Sequence, residues 1–91
     1  MENQDIYKKV ITELIQKQII VLGSDIALLK AKSIKGLAVN ERGEVTDLKG
    51  NSKEILQRLA DEYMALSGQV FKSILMLVLQ KYPDIIVNMI Q

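Results

Sequence analysis

The apolar residues of this chain fall mainly into two long blocks, residues 5–34 and 52–82, and this arrangement most constrains the fold. Hydrophobic residues make up 48% of a chain of only 91 residues. A chain of this length forms one domain, and a domain this small buries a smaller share of its surface than a larger one does. We therefore expect a second copy of the chain to cover part of the apolar surface.

The first block has the periodicity of an amphipathic helix. Two adjacent rows, each with steps of four residues, share one broad face: Ile6, Val10 and Leu14, and Tyr7, Ile11 and Ile15. Gly23 interrupts the pattern, but strong helix formers resume soon after it. We predict one helix over residues 5–34 that continues through Gly23 with a bend. A break into two helices is the alternative.

The stretch between the two blocks predicts a β-hairpin over residues 37–48. Asn40 and Gly43 occupy the first and fourth positions of a turn, where Asn and a left-handed Gly suit a type I turn. The flanking residues alternate partly between apolar and polar. The predicted fold class is therefore mainly α with a small β-hairpin, in the order helix, hairpin, helix.

The second block carries a clear signal for the start of a helix. Asn51 precedes Glu54 by three residues, which is the arrangement of a capping box, and predicts a helix from residue 52. Tyr82 precedes Pro83, and a residue before proline resists the α conformation, so the helix is predicted to end at residue 82. Residues 84–91 form an apolar tail, either a short helix or a short strand, that we expect to dock on the domain or on a neighbour.

A heptad row, with alternating steps of three and four residues, runs along the predicted second helix. Such spacing is typical of helices that pack against one another. Its members, with two later apolar residues that extend it, are the candidate interface residues: Leu56, Leu59, Tyr63, Leu66, Val70, Ile74 and Leu77. Pairing of two chains would then give a helical bundle with a continuous core, so we predict a homodimer.

The composition argues against an enzyme. The chain has no histidine and no cysteine, which removes the usual general base, the thiol nucleophile and the common zinc ligands. No phosphate-binding glycine motif occurs. We therefore predict no catalytic residue, no metal site and no cofactor. Asp25 lies between two apolar stretches and is a candidate polar anchor for a ligand; the alternative is a polar residue that accompanies a helix bend.

Charge and hydropathy set expectations for partners and location. Twelve basic and eleven acidic residues give a net charge of +1, without the basic excess of a nucleic-acid-binding protein. The longest apolar run, residues 74–79, is far shorter than the roughly 20 residues of a membrane-spanning helix. The acidic, polar N-terminus and the lack of cysteine favour a cytoplasmic location.

These observations predict a non-catalytic, self-associating interaction or regulatory module. Its expected partner is itself, with another protein as a further possibility. The alternative is a sensor or carrier that binds a hydrophobic small molecule in the helical core. Residues 74–79 and the tail would then line the site, because ligand pockets are mostly apolar with few polar anchors.

Overall fold

A computed structural model of the chain describes residues 4–83 and 85. The elements follow one another as α1 (Gln4–Leu22), α2 (Ser24–Lys32), β1 (Leu37–Val39), β2 (Val45–Leu48) and α3 (Ser52–Leu79). This mainly helical fold with one antiparallel hairpin in the described residues confirms the predicted fold class at that level. The predicted dimeric bundle stays a prediction.

The first apolar block forms two helices and not the single helix that we expected over residues 5–34. Gly23 has φ 87 and ψ 156, far from helical values, and it separates α1 from α2. A continuous helix would carry residues 24–34 past the end of the domain. The break instead lets Ala27, Leu28 and Ala31 enter the core, so apolar burial outweighs helix continuity.

The hairpin forms where the sequence predicts it. β1 and β2 are antiparallel, and Leu37 lies opposite Leu48 with both side chains buried. The N–H of Gly43 donates a 3.0 Å hydrogen bond to the carbonyl oxygen of Asn40, and Gly43 has φ 82, in agreement with the predicted turn. The hairpin is joined to α1 because the N–H of Val45 donates to the Thr12 hydroxyl at 3.0 Å.

The long helix α3 starts as predicted and differs from the prediction further along. The Asn51 side chain caps it by accepting a 3.0 Å hydrogen bond from the N–H of Glu54. The helix ends at Leu79, three residues before the predicted end. Inside it, Gly68 has the non-helical values φ 49 and ψ −117. We call residues 52–67 and 69–79 the N-terminal and C-terminal segments of α3.

The core lies where α1 faces α2, both segments of α3 and the hairpin. Its largest fully buried apolar side chains are Tyr63, Phe71, Ile11, Leu14, Ile15, Leu56, Leu59, Ile85, Val10 and Val78. Of the predicted tail, Ile85 is buried and helical, and the remaining residues of 84–91 lie outside the described part of the chain. One chain therefore builds a core that contacts both segments of α3.

Candidate functional site

The structure divides the heptad row into a buried and an exposed part, and the change comes after Tyr63. Leu56, Leu59 and Tyr63 have no exposed surface and pack into the core of their own chain. In this conformation they cannot contact a second copy. Of the candidate interface residues, only the later members of the row are accessible for such a contact.

The later part of the row is largely open to solvent. Leu66, Val70 and Leu77 are 44%, 50% and 64% exposed, and Ile74 is half-buried beside them. We call these four residues the α3 apolar surface. Lys72 is the one charged residue between residues 63 and 80, so this stretch of α3 is nearly uncharged. Exposed apolar side chains that lie together often mark sites where proteins meet other molecules.

An apolar groove adjoins this surface. It has a volume of about 510 Å³ and is lined by Lys17, Ile74, Leu77, Val78, Gln80 and Lys81. Lys17 comes from α1 and the apolar residues come from α3, so the groove lies between these helices. A volume of several hundred Å³ is typical of small-molecule sites, and here three apolar side chains line the groove together with three polar ones.

A charged cluster fastens the end of α3 to α1. The carboxylate of Glu13 accepts hydrogen bonds from the Lys81 ammonium and the Tyr82 hydroxyl, both at 2.8 Å. The hydrogen bond from Lys81 is the main cause that lowers the pKa of Glu13; partial burial opposes it, and the bond from Tyr82 lowers it further. The same contacts with Glu13 raise the pKa of Lys81 and the pKa of Tyr82.

A polar network lies directly before Gly68. Gln18 of α1 is fully buried, and its amide donates a 3.0 Å hydrogen bond to the Ser67 hydroxyl. That hydroxyl lies 3.1 Å from the carbonyl oxygen of Tyr63, to which it can donate. Burial raises the pKa of the Tyr63 phenol, which therefore stays protonated and donates a hydrogen bond outside this network, to the carbonyl oxygen of Ala27. The network holds the end of the N-terminal segment of α3 against α1.

The candidate anchor Asp25 lies elsewhere. Its side chain is exposed in the first turn of α2, in a shallow depression lined also by Lys32 and Glu41. It is not buried, as the ligand-anchor interpretation required, and the residues that line the apolar groove do not include it. The structure therefore does not bring Asp25 together with residues 74–79.

The described residues, 4–83 and 85, bear on two further possibilities, metal binding and membrane insertion. No group of three or more acidic side chains there is placed to hold a metal ion. Within the same part of the chain, one helix, α3, is long and apolar enough to cross a membrane, with a mean hydropathy of 1.2 over its best stretch. This is weak evidence for a span, because core helices of soluble proteins meet the same criterion. The predicted absence of a span stays a prediction.

Sequence reasoning missed the role of Gly68. The sequence carries one signal for a bend at this position. A glycine inside a strong helical pattern is unfavourable by about 1 kcal/mol relative to alanine. Because the heptad row continues through residue 68 without a change of phase, periodicity alone favours a straight helix. No protein-family model, curated protein or solved structure matches the chain. Its function therefore has to be inferred from its own surfaces.

Proposed function

We propose that this protein is a non-catalytic, self-associating interaction or regulatory module, and that the α3 apolar surface is its contact surface. The observation that supports this proposal is the exposure of Leu66, Val70 and Leu77 at heptad spacing on a nearly uncharged segment. Removing such side chains from water contributes roughly 25 cal/mol per Å² of apolar area. In a free monomer these side chains stay in contact with water, so this stabilisation is not obtained.

A second copy of the chain is the partner that this surface suits. In a symmetric dimer the same patch contacts itself, so it has to be complementary to itself. Apolar side chains meet that condition without charge pairing, whereas a patch with several like charges would repel its copy. Lys72 lies on the same segment, and Lys17 and Lys81 line the groove beside Ile74 and Leu77. Their long side chains can extend to the edge of the contact.

The test compares glutamate substitutions at two exposed apolar residues. Val70 and Leu29 are 50% and 67% exposed, but Leu29 lies on α2, outside the α3 apolar surface. Native mass spectrometry and light scattering across micromolar concentrations should show a dimer for the wild type and for Leu29→Glu. Val70→Glu should weaken association by at least about tenfold, since a charge would be buried. A wild type that stays monomeric, or equal effects of both substitutions, would contradict the proposal.

The second candidate function is a sensor or carrier for a hydrophobic small molecule. The specific observation is the groove beside Ile74, Leu77 and Val78, which also presents the side chains of Lys17 and Lys81. An apolar chain with an anionic head group suits this combination, because Lys17 can pair with the head group while Lys81 stays paired with Glu13.

A long-chain fatty acid is a suitable probe for this candidate. Binding should raise the melting temperature and add the mass of the acid in native spectra, and Lys17→Glu should weaken it. The matched control is Lys32→Glu, because Lys32 lies on α2 and is not among the residues that line the groove. No shift and no added mass with a saturating fatty acid would remove this candidate.

A further inference from the structure

The bend in α3 depends on the backbone of one residue. Gly68 has φ 49 and ψ −117, which L residues with a side chain essentially do not adopt. A Cβ atom added at this position would meet nothing within 4 Å. Space is therefore available for a side chain, and the bend persists because glycine tolerates the dihedral angles.

The sequence around Gly68 is compatible with a straight helix. The heptad row keeps its steps of three and four from Leu59 through Tyr63 and Leu66 to Val70, and Leu77 follows seven residues later. Only a continuous helix presents these residues as one stripe. The bent α3 buries Leu56, Leu59 and Tyr63 and leaves Leu66, Val70 and Leu77 exposed. In the bent conformation, therefore, only part of the row is buried in the core.

Straightening of α3 would remove its C-terminal segment from the core of its own chain. Phe71 and Val78 are 0% and 2% exposed because this segment packs in the core. The residues that follow this segment are held to α1, because Lys81 and Tyr82 donate hydrogen bonds to the Glu13 carboxylate. A second copy has the same core and the same carboxylate, so it can accept the segment through identical contacts.

We infer that Gly68 is the hinge of a segment exchange, in which α3 straightens and two copies of the chain swap their C-terminal segments. Glu13 of one copy then pairs with Lys81 of the other. The two straight helices pass each other near Gly68, where Leu66 and Val70 of both copies come into contact. This inference rests on the proposed self-association and specifies its mode.

The first experiment changes the hinge. Gly68→Ala disfavours the bent backbone and favours a continuous helix. We expect it to increase dimer formation by at least about tenfold over the wild type, measured by native mass spectrometry. Gly50→Ala is the matched control, since Gly50 also has a positive φ of 106 and open space within 4 Å of where a Cβ would lie, but it is outside the helices. It should not increase dimer formation.

The second experiment distinguishes an exchanged dimer from dimers of bent chains. The chain has no cysteine, so single spin labels can be placed at Lys17→Cys and Gln80→Cys, which line the same groove. The two singly labelled proteins are unfolded together and refolded at high concentration. An exchanged dimer gives a short distance between labels on different copies, equal to that of one chain carrying both labels.

The outcomes separate the two proposals. A dimer with the short distance between copies supports the exchange. A dimer without it in both the wild-type and Gly68→Ala backgrounds overturns the exchange and leaves self-association standing. A monomer in both backgrounds overturns both. If Gly68→Ala does not fold, the labelled wild-type mixture decides the question alone, and absence of the short distance there overturns the exchange.

Discussion

The hydroxyl of Tyr63 donates a 2.7 Å hydrogen bond to the carbonyl oxygen of Ala27, and this buried contact joins α3 to α2. The Tyr63 ring also contacts Phe71, with ring centroids 5.6 Å apart and planes inclined by 59°. Because Tyr63 and Phe71 lie on opposite sides of Gly68, this ring contact spans the bend. One side chain thereby connects α2 with both segments of α3 and favours the bent conformation.

Tyr63→Phe should lower the free energy of unfolding by about 1–2 kcal/mol. The substitution keeps the ring contact with Phe71 but removes the hydrogen bond to Ala27 in a fully buried site. Urea denaturation followed by circular dichroism measures the change. A loss below about 0.3 kcal/mol would show that this bond makes no net contribution.

Ser67→Ala should destabilise the domain by about 1–3 kcal/mol, because it leaves the buried amide of Gln18 without its hydroxyl partner. The double variant Gln18→Leu/Ser67→Ala should be less destabilised than Ser67→Ala, since no polar group then remains unpaired. The same denaturation experiment compares the single and double variants. Additive losses would mean that the two side chains do not depend on each other.

The contact of Glu13 with Lys81 and Tyr82 should make stability depend on pH in the acidic range. The pKa of Glu13 is lowered in the folded state from an ordinary value of 4.5. Its stabilising contribution is therefore complete above pH 4.5 and is lost as pH falls from that value through the lower folded pKa. Glu13→Gln should cost about 0.5–1 kcal/mol at neutral pH, because the site is partly solvent-exposed.

The check is a series of urea denaturations of the wild type and Glu13→Gln from neutral to strongly acidic pH. The difference in free energy of unfolding should shrink below pH 4.5. The pair of Lys32 and Glu41 supplies a comparison, because Glu41 is largely exposed and Glu41→Gln should change stability little there. A difference for Glu13→Gln that stays constant into strong acid would contradict the assignment.

Asn51→Ala should lower stability by about 0.5–2 kcal/mol, because the Asn51 side chain satisfies the N–H of Glu54 in the first turn of α3. Asn51→Ser should retain most of the stability, since serine is an equally good cap. Thermal unfolding of both variants distinguishes a lost cap from a general effect of substitution. Equal losses for alanine and serine would argue against capping.

Local patterns in the sequence predicted the elements that depend on neighbouring residues. The hairpin at residues 37–48 and its turn follow from Asn40 and Gly43, whose positions suit turn geometry. The start of α3 follows from Asn51 and Glu54, because a cap and its N–H lie within one turn. In each case the determining contact joins residues only a few positions apart in the chain.

The breaks in the helices were decided by tertiary packing. Strong helix formers resume after Gly23, and the heptad row continues through Gly68, so the sequence favours helices that are longer than the observed ones. Whether the helix bends at a glycine depends on how much apolar area the flanking segments bury by packing. Ala27 after Gly23 and Phe71 after Gly68 are both fully buried. The heptad row shows the same limit, since spacing places its residues on one helix face but cannot say which part the chain itself will bury.

Propensity, turn chemistry and capping act over a few residues, so the mainly helical class, the hairpin and the start of α3 could be predicted from local patterns. The direction of α2, the bend of α3 and the exposure of Leu66, Val70 and Leu77 depend on tertiary packing. Apolar burial is summed over the whole domain. Its gain outweighs the loss of helix continuity at the two glycines, where a helix is already disfavoured by about 1 kcal/mol relative to alanine, and no local pattern records that balance.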